Sequence, residues 1–172
     1  MSASARRSRE IEQDRYAAAK QILSRIAHPV AIIGAAQGDE RSCATGTVMY
    51  VSHSPAMVAI AEHPGSRTTR LIQASREFSV SLLHDAQQDL AMAAGRSAEG
   101  PDKFAALGIP VATQPEFKAP AVDGSLAMLW CRVVDERPTG DHILFVGEVV
   151  DAHLNREGEP LTMKETGFRY FG

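Results

Sequence analysis

The chain has 172 residues, 44% of them hydrophobic and 23% charged, with a formal net charge of −3 at neutral pH. That length fits one domain with a sizeable core, and the composition is that of an ordinary folded chain. The slight acidic balance gives no electrostatic case for binding nucleic acid or an acidic membrane surface. No run approaches the roughly 18 apolar residues of a membrane-spanning helix, and the start of the chain lacks the apolar centre of a signal segment, so a cytoplasmic protein is expected. The two cysteines, Cys43 and Cys131, are too few for a disulfide framework and read as small buried residues. The six histidines are scattered, so no metal centre is expected.

In chain order, residues 8–27 place Ile11, Ala18, Ile22, Leu23 and Ile26 near one helical face, which predicts an amphipathic helix. It has two possible partners, its own domain or a second subunit. The expected division is a helical segment over 1–28 and a folded domain over 29–172. Pro29 ends the helix, Val30 to Ala36 reads as a buried strand, and Gln37 to Arg41 as the turn of a hairpin. The stretch from Ser42 to Pro55 is the returning strand, closed by a proline that cannot donate to a ladder. Met57 to Ala61 is a short internal strand. A helix beginning near Thr68 ends before Glu77, and Phe78, Val80 and Leu82 alternate with polar residues as a half-buried strand would. Asp85 is read as the N-cap of a helix over Ala86 to Ala94 that Gly95 stops. Prolines and glycines between Arg96 and Asp123 allow only loops and one short helix, Pro101 to Leu107. Lys103 within it is assigned a solvated or capping role. Two long strands, Leu126 to Val134 and Ile143 to Leu154, are joined across Asp135 to Asp141. Trp130 reads as core, and the aromatic end GFRYFG as a segment that packs against something.

Two stretches carry chemistry. From Ser42 to Thr47 the residues are small or hydroxylated, so a planar ligand can approach the backbone and its N–H groups closely. Ser66, Arg67 and Thr68 follow a Pro-Gly turn and precede Leu71 and Ile72, the pattern of a helix N-terminus. Unpaired N–H groups, the helix dipole and an arginine there suit a phosphate.

The order of a small-residue strand, V-S-x-x-P (Val51 to Pro55), a short apolar strand, an S-x-T helix start (Ser66 to Thr68) and G-D-H (Gly140 to His142) resembles the flavin reductase-like family over roughly Pro29 to Gly172. The resemblance implies a mainly β fold, an antiparallel split β-barrel with peripheral helices that binds FMN and is homodimeric. It implies an NAD(P)H-dependent flavin reductase that passes a hydride from the nicotinamide to FMN, or to FAD, and supplies reduced flavin to a partner flavin-dependent monooxygenase. The cofactor-binding residues it implies are Thr45, Gly46, Thr47, Val48 and Ser52 for the ring, and Ser66, Arg67 and Thr68 for the phosphate, with His142 beside the reacting face. The sequence departs from the commoner family pattern at Ala44, Thr47, Val48 and Ala56, none of which removes a backbone donor. A flavoprotein that keeps FMN bound and passes electrons to a protein partner is the alternative. A barrel holding haem or another planar ligand is a weaker one.

Overall fold

The computed structural model describes residues 16–168. Strand β1 (Ala31–Gln37) is buried on both faces: Ala31, Ile33 and Ala35 join one apolar cluster, and Ile32 with the preceding Val30 joins another. That double burial is why VAIIGAA is an unbroken apolar run rather than an alternating one. A turn through Gly38, at φ 59°, leads into β2 (Glu40–Gly46), antiparallel to β1. The chain continues as β3 (Val48–His53) and β4 (Ala56–Glu62), then helix α1 (Arg67–Ser75) and β5 (Glu77–Leu82). A 3₁₀ turn (Asp85–Gln87) runs into α2 (Gln88–Ala94), and the short α3 (Lys103–Ala106) follows. A two-residue pair, β6 (Val111–Ala112) with β7 (Ala121–Val122), precedes the long strands β8 (Ala127–Thr139) and β9 (His142–Leu154) and a last turn of helix, α4 (Met163–Thr166).

Seven of these strands form one antiparallel sheet in the order β2-β1-β5-β8-β9-β4-β3. Its two edge strands, β2 and β3, are consecutive in the chain with Thr47 alone between them. The sheet therefore curls until its edges meet at that corner. One face packs on α1 through Leu71 and Ile72, and the other on α2, α3 and β7 through Ala91, Ala94, Phe104 and Val122. A third cluster under residues 117–121 includes Trp130, whose indole N–H donates to Ala119 O at 3.1 Å. Phe168 packs against the second cluster, as the aromatic end predicts; residues 169–172 lie outside the described residues.

Several expectations are corrected. The strand expected from Ser42 to Pro55 is two strands on opposite edges, because Thr47 turns the chain at the corner. Ser79 and Ser81 are fully buried and not on a wet face. A second layer covers them, with Ser79 Oγ donating to Pro120 O at 2.6 Å and Ser81 Oγ accepting from Val122 N–H at 2.8 Å. The N-cap before the 3₁₀ turn is His84, one residue before Asp85. Strands β8 and β9 are longer than predicted, leaving only Gly140 and Asp141 as their turn. Pro138 fits in β8 because β5 reaches only to Arg132, so one edge of β8 needs no donor there. Of the predicted N-terminal helix, residues 16–23 are helical, and Ile22, Leu23 and Ile26 are exposed; residues 8–15 lie outside the described residues.

The close approach of the second layer rests on Gly34. A Cβ there would collide with Pro120 O and lie 2.5 Å from Ser79 Oγ. Gly34→Ala is expected to cost about 1–3 kcal/mol, read as a lower midpoint in urea denaturation.

Candidate functional site

The outer edge of β2 is the floor of a cleft of about 450 Å³. One wall is the start of α1, Gly65 to Thr68, and the other is the segment from Ala94 to Ala98 with Lys103. Each side chain of β2 is used according to its face. Ser42 Oγ shares a buried hydrogen bond with Thr68 Oγ1 at 3.0 Å, tying β2 to α1. Cys43 sits in the cluster on the opposite face, and Thr45 Oγ1 donates to Ala91 O of α2.

The backbone of β2 alternates likewise. Arg41 N–H donates outward to Pro101 O at 2.9 Å, and Cys43 O accepts from Lys103 Nζ at 2.7 Å. In an antiparallel ladder alternate residues turn both backbone groups the same way. The N–H of Cys43 and of Thr45 therefore faces the cleft, whereas Gly46 faces β1, opposite Ala31. Of the donors expected from Thr45 to Val48, the register thus turns Thr45 outward at this edge and Gly46 inward.

Lys103 is not solvated, and it caps the end of α2 rather than the start of its own helix. It is buried, and its ammonium also donates to Ala94 O at 2.8 Å, closing the end of α2 onto the strand. Burial lowers its pKa, with Cys43 and Glu62 opposing the shift and Arg67 adding to it. The cap of α3 is Asp102, which accepts from Ala105 N–H. Burial pushes the Cys43 thiol up to about 11, so it stays protonated and unreactive at neutral pH.

At the start of α1, Ser66 is the N-cap. Its Oγ accepts from Thr69 N–H at 3.0 Å and donates to Thr69 Oγ1 at 2.9 Å. The Ser66 and Thr68 hydroxyls are therefore engaged within the fold, while helix geometry leaves the N–H groups of Arg67 and Thr68 without intrahelical acceptors at the positive end of the dipole. The Arg67 guanidinium reaches across the cleft to the carbonyls of Ala98, at 2.9 Å, and Gly100. It pins the opposite wall rather than pointing to solvent. Outward strand N–H groups, helix N–H groups and the basic side chains of Arg67, Arg96 and Lys103 form a donor set that fits a flavin nucleotide, and the volume is that of a small-molecule site.

The remaining predicted residues distribute unevenly. His142 opens β9; its Nδ1 lies 2.8 Å from Asp141 Oδ1, and its ring stands edge-on to His63 at 6.2 Å. His63 in turn accepts, at its carbonyl, from Thr69 Oγ1. His142 thus lies beside the segment that leads into α1, and neither histidine is among the residues that line the cleft. Thr47 lines a different cavity, of about 1230 Å³, between residues 17–28 and the region of Met163 to Phe168. Val48 pairs with Ile60 near the corner, but Ser52 pairs with Met57 beyond a bulge, at the far end of β4 from Glu62. In the cleft, sequence reasoning missed Arg96 and gave Lys103 no place in the wall; outside its lining it also missed Glu62, which is buried at 5% exposure. The signal for Lys103 was its place beside a helix-capping aspartate in a segment too short to need a solubilising charge.

Lys103→Met leaves the Cys43 and Ala94 carbonyls without their donor. It is expected to cost about 2 kcal/mol and to speed amide hydrogen exchange around residues 94–98. For Glu62, burial pushes the carboxyl up to about 8, above its ordinary value, so between the two the folded chain binds the extra proton and stability falls as pH rises. Glu62→Gln removes that cost. Its melting temperature is expected to exceed that of the parent by a margin that widens from about pH 4.5 to about pH 8 and then stays constant.

Known proteins resemble this chain over most of its length. A reductase component of 4-hydroxyphenylacetate 3-monooxygenase from Thermus thermophilus is 32% identical over 152 residues, 87% of this chain and 93% of that protein. An NADH-dependent flavin reductase from a Rhodococcus species is 25% identical over 87% of this chain and 83% of its own. Among solved structures, the NADH:FAD oxidoreductase of Streptomyces globisporus C-1027, in complex with NAD and FAD fragments, superposes with a TM-score of 0.78 at 25% identity, covering 93% of this chain and 94% of that one. The flavin reductase like domain matches residues 23–172. With a β2 edge of small residues facing a basic helix start, and this match across nearly the whole sequence, the chain belongs to the flavin reductase-like family.

Proposed function

We infer that this chain is an NAD(P)H-dependent flavin reductase, which moves a hydride from the nicotinamide to FMN or FAD and supplies reduced flavin to a partner flavin-dependent monooxygenase. The observation that carries the reading is the cleft on the outer edge of β2, where outward strand N–H groups, the first turn of α1 and a basic wall converge. The relatives from Thermus and Rhodococcus, named as a monooxygenase reductase component and an NADH-dependent flavin reductase, support it.

In this reading the N–H groups of Arg67 and Thr68 hold the phosphate, with Arg67 and Arg96 supplying charge, while Ser66 and Thr68 act through their hydroxyls by fixing the turn. The backbone around Thr45 receives the pyrimidine edge of the ring. Gly46, Thr47 and Val48 carry the strand around the corner toward the second cavity, and Ser52 would be reached only by a ligand extending along β3. A bound flavin supplies the redox chemistry itself, and the protein supplies orientation and electrostatics. His142, with Asp141 against one ring nitrogen, borders the side on which the nicotinamide approaches. Hydride transfer needs no acid or base in the step, so His142 aligns the partners and its loss slows the reaction without stopping it.

The finer architecture belongs to the same proposal. The curled sheet is a split barrel over 29–172 preceded by a helical segment over 1–28, and two chains pair in the cytoplasm as a homodimer. The edge strand β3 favours pairing, because it exposes Met49, Tyr50 and Val51 beside unpaired backbone.

The test is NADH and NADPH oxidation by the purified protein with and without added FMN. Consumption that depends on added flavin is the expected outcome, and no turnover with either nucleotide would overturn the reading. Arg67→Ala is expected to weaken FMN binding about tenfold and riboflavin binding much less, since only FMN carries the phosphate; equal weakening of both would place the phosphate elsewhere.

A further inference from the structure

One end of the cleft is bridged by a side chain. At the Thr45 end of the floor lies Gly95, which ends α2: a Cβ on it would sit 3.6 Å from Thr45 Oγ1. At the other end, Pro101 O accepts from Arg41 N–H at 2.9 Å. Residues 96–100 therefore form a strap that passes from the Thr45 end of the cleft to the Arg41 end. Both ends of the strap are held, the first by Lys103 Nζ on Ala94 O and the second by Arg41. Between them Ser97, Glu99 and Gly100 are exposed. Among the described residues, the hydrogen bonds on the backbone of 97–100 all come from the Arg67 guanidinium, to Ala98 O at 2.9 Å and to Gly100 O.

Arg67 belongs to the opposite wall. It is the first residue of α1, and its neighbour Thr68 is tied to the floor at Ser42. The guanidinium thus crosses at the Ser42 end, and among the described residues no other hydrogen bond joins the two walls. A flavin nucleotide with its pyrimidine edge at Thr45 and its phosphate at the N–H groups of Arg67 and Thr68 ends against this bridge. FMN finishes in a phosphate monoester and needs no space beyond it. In FAD the same phosphate is esterified to a second one that carries adenosine, and that extension has to pass where Arg67 joins the walls.

We propose that Arg67, by bridging the cleft to Ala98 and Gly100, is the specificity-determining residue that makes this a site for FMN and closes it to FAD. This rests on the flavin reading above. Two of the five guanidinium donors hold the strap, and the others are left to the phosphate, so FMN binds with the bridge closed. FAD binds only when two charge-assisted hydrogen bonds are given up, at a cost of roughly tenfold in affinity. A lysine separates the two roles of Arg67, because its ammonium keeps the charge but lacks the planar fork that spans two carbonyls.

The experiment measures binding of riboflavin, FMN and FAD to the full chain by calorimetry. The parent is expected to bind FMN roughly tenfold more tightly than FAD; FAD binding as tight as FMN binding, or tighter, overturns the proposal and leaves the flavin site standing. Arg67→Lys is expected to hold FMN within about threefold of the parent and to bring FAD within about threefold of FMN. A parental FMN-to-FAD ratio in Arg67→Lys overturns the proposal. Equal binding of FMN and riboflavin by the parent takes the phosphate away from α1 and overturns it too, whereas binding of none of the three overturns the flavin reading itself. Trypsin gives a check on the parent alone, because the exposed Arg96 opens the strap. At saturating ligand, cleavage after Arg96 is expected to be about threefold faster with FAD, which displaces the bridge, than with FMN; equal rates overturn the proposal.

Discussion

The buried ammonium of Lys103 ties the outer edge of β2 to the end of α2. An edge strand carries a row of unpaired backbone groups, and β2 would either fray or recruit another strand. Lys103 instead takes the outward carbonyl of Cys43 and the last-turn carbonyl of Ala94 at once, so the strand edge and the end of α2 are fixed at a set distance. Arg41 N–H, bonded to Pro101 O, secures the beginning of the strand in the same way. Between them the edge is closed at its start and kept open around Thr45. The opening is therefore a product of the backbone alternation and not of a missing neighbour.

The opposite wall is built by different means. Ser66 spends its hydroxyl on Thr69, and Thr68 spends its own on Ser42. Ser66 and Thr68, expected from the sequence at a phosphate, thereby also fasten this wall, and helix geometry leaves the N–H groups of Arg67 and Thr68 without intrahelical acceptors. Arg67 bridges the cleft to Ala98 and Gly100, which makes its charge part of the wall. A cleft built this way has rigid polar groups, and preorganised donors are worth more to a bound anion than flexible ones.

Charge in the cleft depends on burial. Desolvation lowers the Lys103 pKa and raises those of Glu62 and Cys43, so the same exclusion of water that strengthens each contact also moves each proton toward the neutral form. Cys43 is thereby silenced as a nucleophile, while Glu62 holds its proton to a higher pH than an exposed carboxylate would.

By itself the sequence determined the elements and their kind. The apolar run of β1, the small residues of β2, the cap at Ser66 and the stop at Gly95 are local patterns whose physics acts within a few residues, and the family resemblance joined them into a fold. Tertiary structure decided what those patterns cannot carry. Thr47 is an ordinary strand residue until the sheet curls and makes it a corner; Ser79 and Ser81 read as surface until a second layer covers them; Lys103 reads as solvated until Cys43 and Ala94, 60 and nine residues away in the chain, converge on its ammonium. Which N–H of β2 faces outward depends on the register with β1, and the proton on Glu62 depends on water excluded by segments distant in sequence. Burial and register are relations between elements, so no single stretch of residues encodes them.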